Sequence, residues 1–154
     1  MKISVKKMDK NAIMPTYATP GAACFDLHAC SIQADVSKSV WSGHPLIIGT
    51  GLSFEIPPGH VMMVFSRSGH GFRHDTRLAN CTGIIDSDYL GEVMVKLTCD
   101  RPDFGGDDVM PLRVKVGDRI AQAMIMPAPQ VEMVSCDQLS DTMRGANGFG
   151  STGA

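Results

Sequence analysis

What most constrains the fold of this chain is the shortness of its apolar runs, which alternate with a period of two and are cut by Gly or Pro every few residues. "GLSFEI" sets Leu52, Phe54 and Ile56 against Ser53 and Glu55. "PPGH" follows, with Pro58 before Gly59 in the order of a type II turn, and "VMMVF" returns from it. "LRVKV" sets Leu112, Val114 and Val116 against Arg113 and Lys115; the "GD" after it reads as a two-residue hairpin turn with glycine first, leading into "RIAQAMIM". "ISVKKM" reads as an edge strand and "QVEMVS" as a last strand. A helical period is almost absent, so helix is limited to one short turn after Ser68. Short strands with regular turns predict an all-β sandwich, jelly roll or barrel.

The 16 glycines and 9 prolines are spread over all 154 residues, leaving no linker and no repeat, so a single β domain is expected. A formal charge of −2 argues against polymeric nucleic acid or an anionic membrane as the main partner. The N-terminal "MKISVKKMDKNAIMP" lacks the apolar core of a signal peptide, which makes the expected location cytoplasmic. The five cysteines form no CxxC pair and read as reduced thiols. His70 and His74 lie four apart, but "GFR" between them is poor helix and no companion ligand has zinc-site spacing. "CDRPDFGGDDVMP", residues 99–111, lacks the ligand order of a calcium loop and reads as a solvated surface loop.

Five stretches carry charge and turn chemistry that a core does not need. In "GAACFDLHA", Asp26 sits between Phe25 and Leu27 and must face water, a partner or a metal. "SRSG" holds Arg67, a fork for phosphate or carboxylate oxygens, and Ser68, which on its own reads as a helix cap. "GIIDSDYLGEV" reads as a hairpin whose tip carries Asp86, Asp88 and Tyr89: ordinary turn residues, or a base beside a stacking ring. "GDRIAQ" places Gln122 among apolar neighbours, where a hydrogen-bonded core amide is the plain alternative. "RGANGFGSTG" combines Arg144 and Phe149 with four glycines, either a loose end or a flap that orders over an anion.

In this order and spacing, the five stretches resemble the five motifs of the trimeric dUTPase family, across residues 21–153. The resemblance implies a jelly-roll homotrimer with shared active sites, which hydrolyses dUTP to dUMP and pyrophosphate with Mg²⁺ on the triphosphate. It also implies removal of dUTP and supply of dUMP for dTTP synthesis. By matching positions, Asp86 would be the base for the attacking water, and Tyr89 would lie under the deoxyribose. Asn80, Gly83, Ile84, Ile85 and Met94 would line the uracil pocket. Arg67, Ser68, Gly69 and Gln122 would meet phosphates, and Asp26 would act on Mg²⁺ through water. Residues 143–154 would form a flap over a neighbouring site, bringing Arg144, Phe149, Gly150, Ser151 and Thr152 to the substrate, with residues 1–142 as the β domain.

Ser66 stands where the family usually has proline, a change expected to loosen that strand end. Arg73 and Arg77 receive no role and are expected to be exposed. Three other readings compete: a dCTP deaminase of the related branch, a binding or regulatory module on the same fold, and a jelly-roll structural protein.

Overall fold

The computed structural model describes residues 1–33, 39–40, 44–100 and 112–148. Within them the period-two segments become β1 (Ser4–Lys7), β2 (Thr16–Tyr17), β3 (Phe25–His28), β4 (Ser31–Gln33), β5 (Ser39–Val40), β6 (Leu46–Gly49), β7 (Leu52–Glu55) and β8 (His60–Phe65). One helix, α1 (Ser68–His74), precedes β9 (Thr76–Leu78), β10 (Thr82–Ile85), β11 (Met94–Cys99), β12 (Leu112–Arg113) and β13 (Arg119–Pro127). The strands pair antiparallel into a five-stranded sheet, β10-β8-β13-β3-β2, and a four-stranded sheet, β4-β6-β11-β9. Two further ladders, β1-β7 and β12-β5, complete an all-β, jelly-roll-like architecture. One buried cluster draws Leu27, Met62, Val64, Ile120 and Ala123 from the larger sheet and Ile48, Leu78, Val95 and Leu97 from the smaller. The two inner faces therefore share a core, the arrangement that removes both from water.

Several turns form where expected but join strands that do not pair. At Pro57–His60, Gly59 takes φ +73° and the His60 N–H donates to the Pro57 carbonyl at 3.2 Å, as the type II order predicts. Yet β7 pairs β1 while β8 pairs β10 and β13. The expected hairpin between β10 and β11 fails in the same way, since the two strands belong to different sheets. In a two-layer β fold a turn can carry the chain from one layer to the other, and its residues do not say which.

The "GD" turn is shifted by one residue. Asp118 N–H donates to Lys115 C=O at 3.1 Å and Gly117 has φ +92°, so glycine is the second central residue, not the first. β12 ends at Arg113, Val116 is exposed, and β12 and β13 pair with other strands. In β7 the expected alternation breaks at Ser53, which is buried because its hydroxyl donates to the Leu90 carbonyl at 2.8 Å. "QVEMVS" forms no strand: Val131, Met133 and Val134 are exposed, and the segment pairs with no strand among the described residues.

The helix is longer than one turn. α1 runs for seven residues through "SGHGFRH" and carries both His70 and His74, although it buries no residue. Its N-cap is Arg67, with no side-chain cap, and Ser68 is the first helical residue. All five cysteines are free thiols, with Cys30 buried and Cys81 and Cys136 exposed. Burial pushes the Cys30 thiol above its usual range, with nearby Asp9 adding to the effect.

Candidate active site

Where the two sheets diverge beside β10 and β11, they leave a mostly apolar pocket of about 360 Å³. Asn80, Gly83, Ile84, Ile85 and Met94 all line it, together with Val64 and Lys96. Gly83 allows a close approach: a Cβ there would stand 3.1 Å from Cβ of Val64, tighter than an ordinary contact. Asn80 is presented by a tight bend in which Thr82 N–H donates to Asn80 C=O at 2.6 Å across Cys81, at φ +62°. A positive φ on a residue other than glycine is a strained turn that its surroundings must hold.

Arg77 does that holding, which its sequence position did not reveal. Its Nη1 donates to the carbonyls of Leu78 at 3.0 Å and Ala79 at 3.4 Å, and its Nε to Asp100 at 2.6 Å. The Asp100 hydrogen bond raises the Arg77 pKa further. Ser66 also ties rather than loosens: its hydroxyl accepts Leu78 N–H at 2.9 Å, and its carbonyl accepts the Gln122 amide at 3.0 Å.

Beyond Ile85 the chain bends through the loop bearing Asp86 and Tyr89. Tyr89 N–H donates to Asp86 C=O at 3.2 Å, closing a four-residue turn. The Tyr89 hydroxyl donates to Glu92 C=O at 2.9 Å, while the ring remains partly exposed. Asp86 and Asp88 face a second groove of about 630 Å³, which Ile84 shares with the first pocket.

A polar cluster lies elsewhere on the five-stranded sheet. Asp26 accepts Arg67 Nε on one oxygen and Arg119 Nη1 on the other, each at 3.2 Å. A carboxylate with a side chain only 13% exposed needs such partners. Sequence reasoning missed Arg119, and the reason is a β-bulge. The register runs Arg119 to His28 and then Ala121 to Leu27, so one residue is extra. Cross-strand neighbours share a face and strand residues two apart share a face, so Asp26 and His28 point the same way. The bulge therefore turns Arg119 and Gln122, three residues apart, to that one face. Arg67, Arg119, Arg113, His70 and Asp118 line an adjoining cavity of about 260 Å³. Burial, with help from Arg67 and His74, lowers the His70 pKa to about 4 against an opposing pull from Asp118. Burial likewise lowers that of His28. Ser68 and Gly69 open α1 beside Arg67 and are exposed.

The two groups stand at opposite ends of the sheet. Thr82 pairs with Phe65, Phe65 with Gln122 and Gln122 with Asp26, which puts the cluster in one row near the start of β10. Ile85 pairs with Met62, so Asp86 leaves the sheet near Val61. From Val61 to Arg67 is six residues, or about 20 Å of strand. One chain thus brings Asn80, Gly83, Ile84, Ile85 and Met94 together, and Asp26, Arg67 and Gln122 together, but does not join Asp86 to the arginines. In the tail, Arg144 donates its Nε to Asn147 C=O at 3.0 Å, a local turn. Phe149, Gly150, Ser151 and Thr152 lie outside the described residues, as do residues 101–111 of the acidic loop.

No group of three or more His, Cys, Asp or Glu side chains converges among the described residues. Asp26 has a guanidinium on each oxygen. Such a sparse donor set fits a cation carried by substrate phosphates and reached through water. Among the described residues no helix is long and apolar enough to cross a membrane.

A family model described as dUTPase matches residues 10–153. The chain is 43% identical to the deoxyuridine 5'-triphosphate nucleotidohydrolase of Nautilia profundicola over 153 residues, covering 99% of each chain. It is 37% identical to the enzyme of the same name from Helicobacter pylori strain J99, covering 99% of this chain and 97% of that one. Its structure is similar to that of a Staphylococcus bacteriophage 80alpha dUTPase mutant solved with dUpNHpp: the TM-score is 0.85 at 25% identity, over 99% of each chain.

Proposed function

The chain belongs to the dUTPase family, and from that premise we propose that it hydrolyses dUTP to dUMP and pyrophosphate in the cytoplasm, keeping dUTP low and supplying dUMP for dTTP synthesis. The observation that supports this most is the pocket shared by Asn80, Gly83, Ile84, Ile85 and Met94, with Asp86 and Tyr89 on the chain that leaves it. Its size and apolar walls suit a pyrimidine, and the Asn80 amide offers a donor and an acceptor to the base edge. A methyl on the ring would crowd the walls, and the cytosine edge would present the wrong donors. Tyr89 stands under the deoxyribose, where a 2′-hydroxyl has no room.

The Asp86 carboxylate orients a water and accepts its proton as the water oxygen bonds to the α-phosphorus. The bond from that phosphorus to the α–β bridging oxygen breaks, and the electron pair leaves with pyrophosphate. Arg67, Ser68, Gly69 and Gln122 hold the phosphates; Asp26 holds Arg67 in place and would act on a substrate-bound magnesium ion through water. A magnesium ion on the triphosphate would supply charge neutralisation there. Arg144, Phe149, Gly150, Ser151 and Thr152 close over the substrate as a flap, residues 143–154 moving separately from the β domain of residues 1–142.

Because Asp86 and Arg67 of one chain lie about 20 Å apart along the strand, the working site is assembled between copies in a homotrimer. Refolding Asp86→Asn chains with Arg67→Ala chains tests this: a shared site recovers about a quarter of parental activity at equal mixing, whereas a site within one chain recovers none. The activity itself is tested by pyrophosphate release from dUTP, dTTP, dCTP and UTP with and without Mg²⁺. Selectivity for dUTP supports the reading, and ammonia from dCTP would replace it with a deaminase.

A further inference from the structure

Between Ile85 and Met94 the chain has no ladder of its own, since β10 ends in one sheet and β11 begins in the other. It carries Asp86 and Tyr89, so something must fix it. Ser53 Oγ donates to Leu90 C=O at 2.8 Å, Thr50 Oγ1 donates to Val93 C=O at 2.7 Å, and Val93 N–H donates to Leu52 C=O at 2.9 Å. A further anchor is Glu92, whose Oε1 accepts the Gly51 N–H at 2.8 Å. Its main-chain carbonyl accepts the Tyr89 hydroxyl at 2.9 Å.

Two glycines record how tightly this is packed. Neither Gly49 nor Gly91 has a positive φ, so neither is required by its backbone conformation. A Cβ on Gly49 would lie 2.5 Å from both Glu92 Oε1 and Ser31 Oγ, and a Cβ on Gly91 would lie 2.5 Å from the Tyr89 hydroxyl oxygen and 2.6 Å from Cζ. One glycine makes room for the Glu92 carboxylate and the Ser31 hydroxyl, the other for the Tyr89 ring. Gly51, which donates to Glu92, does have φ +66° and is fixed by that.

We propose that Glu92 is a positioning residue for sugar discrimination: the Gly51 N–H holds its carboxylate, and its carbonyl holds the Tyr89 ring as a rigid wall. This rests on Tyr89 standing under the deoxyribose. A wall rejects a 2′-hydroxyl only while it cannot yield, so loosening Glu92 admits the ribonucleotide more than it slows dUTP.

The test is the ratio of kcat/KM for dUTP over UTP in the full-length enzyme. Glu92→Ala is expected to lower that ratio by about tenfold, chiefly by improving turnover of UTP. Glu92→Gln keeps an acceptor for Gly51 and is expected to hold the ratio within about twofold. Tyr89→Phe removes only the hydroxyl and is expected to move the ratio in the same direction as Glu92→Ala, with the double variant no worse than Glu92→Ala alone. An unchanged ratio in folded Glu92→Ala, or additive losses in the double variant, overturns the proposal. If Glu92→Ala does not fold, an unchanged ratio in Tyr89→Phe does so. A parent enzyme with no preference for dUTP over UTP would instead remove the sugar-wall reading, a result distinct from a selective parent whose variants stay selective.

Discussion

The loop bearing Asp86 and Tyr89 and the cluster around Asp26 are both polar, yet they are held in different ways. The loop is pinned by hydrogen bonds to the neighbouring β6–β7 bend, through Gly51, Leu52, Ser53 and Thr50. The cluster depends on the register of β3, β8 and β13 and on one bulge. The first arrangement holds three carboxylates, Asp86, Asp88 and Glu92, on one short excursion with no cation in it. The second balances two guanidiniums on one carboxylate, so each member's position depends on its partners.

That contrast predicts different penalties. Asp86→Asn should cost the most, about 10³-fold in kcat with dUTP binding kept, since the base is lost and the loop's anchors are not. Near-parental turnover of that variant would remove Asp86 as the base. Deleting residues 144–154 should leave a folded assembly, checked by its size in solution, with turnover down about 10²-fold. A truncated protein with full turnover would remove the flap from the mechanism. Asp26→Asn should cost about tenfold in kcat/KM, because the charge is lost and one of Arg67 and Arg119 then faces an amide N–H that cannot accept. If the cluster is held by packing alone, kcat/KM will not change.

The smallest effect concerns pH. The folded His70 titrates at about 4, below the unfolded value near 6.5, so the unfolded chain binds the extra proton between these values. Stability present above about pH 6.5 is therefore lost as pH falls towards about 4. His70→Leu should flatten that part of the melting-temperature profile, whereas an identical slope in both proteins would place the titrating group elsewhere.

Much of the site was legible because its residues are close in sequence. Asn80 to Met94 spans one excursion, and Asn80, Gly83, Ile84, Ile85 and Met94 line one pocket although the hairpin expected there does not form. Arg119 was not legible, since an alternating strand puts it on the opposite face from Gln122 until the bulge intervenes. Arg77 looked like a surface cation because nothing local signals that its guanidinium will reach back to the carbonyls before Asn80. "QVEMVS" had the composition of a strand but pairs with none of the strands among the described residues.

Period and turn chemistry alone determined that this chain is built of short strands, because alternation and Gly or Pro punctuation act over a few residues. The order of the five stretches also determined the family, since their spacing is a property of the chain itself. Tertiary structure decided which turns are hairpins and which cross between sheets, which charges meet at Asp26, and how far Asp86 stands from the arginines. Those outcomes depend on register between strands distant in sequence, and no local preference encodes a register.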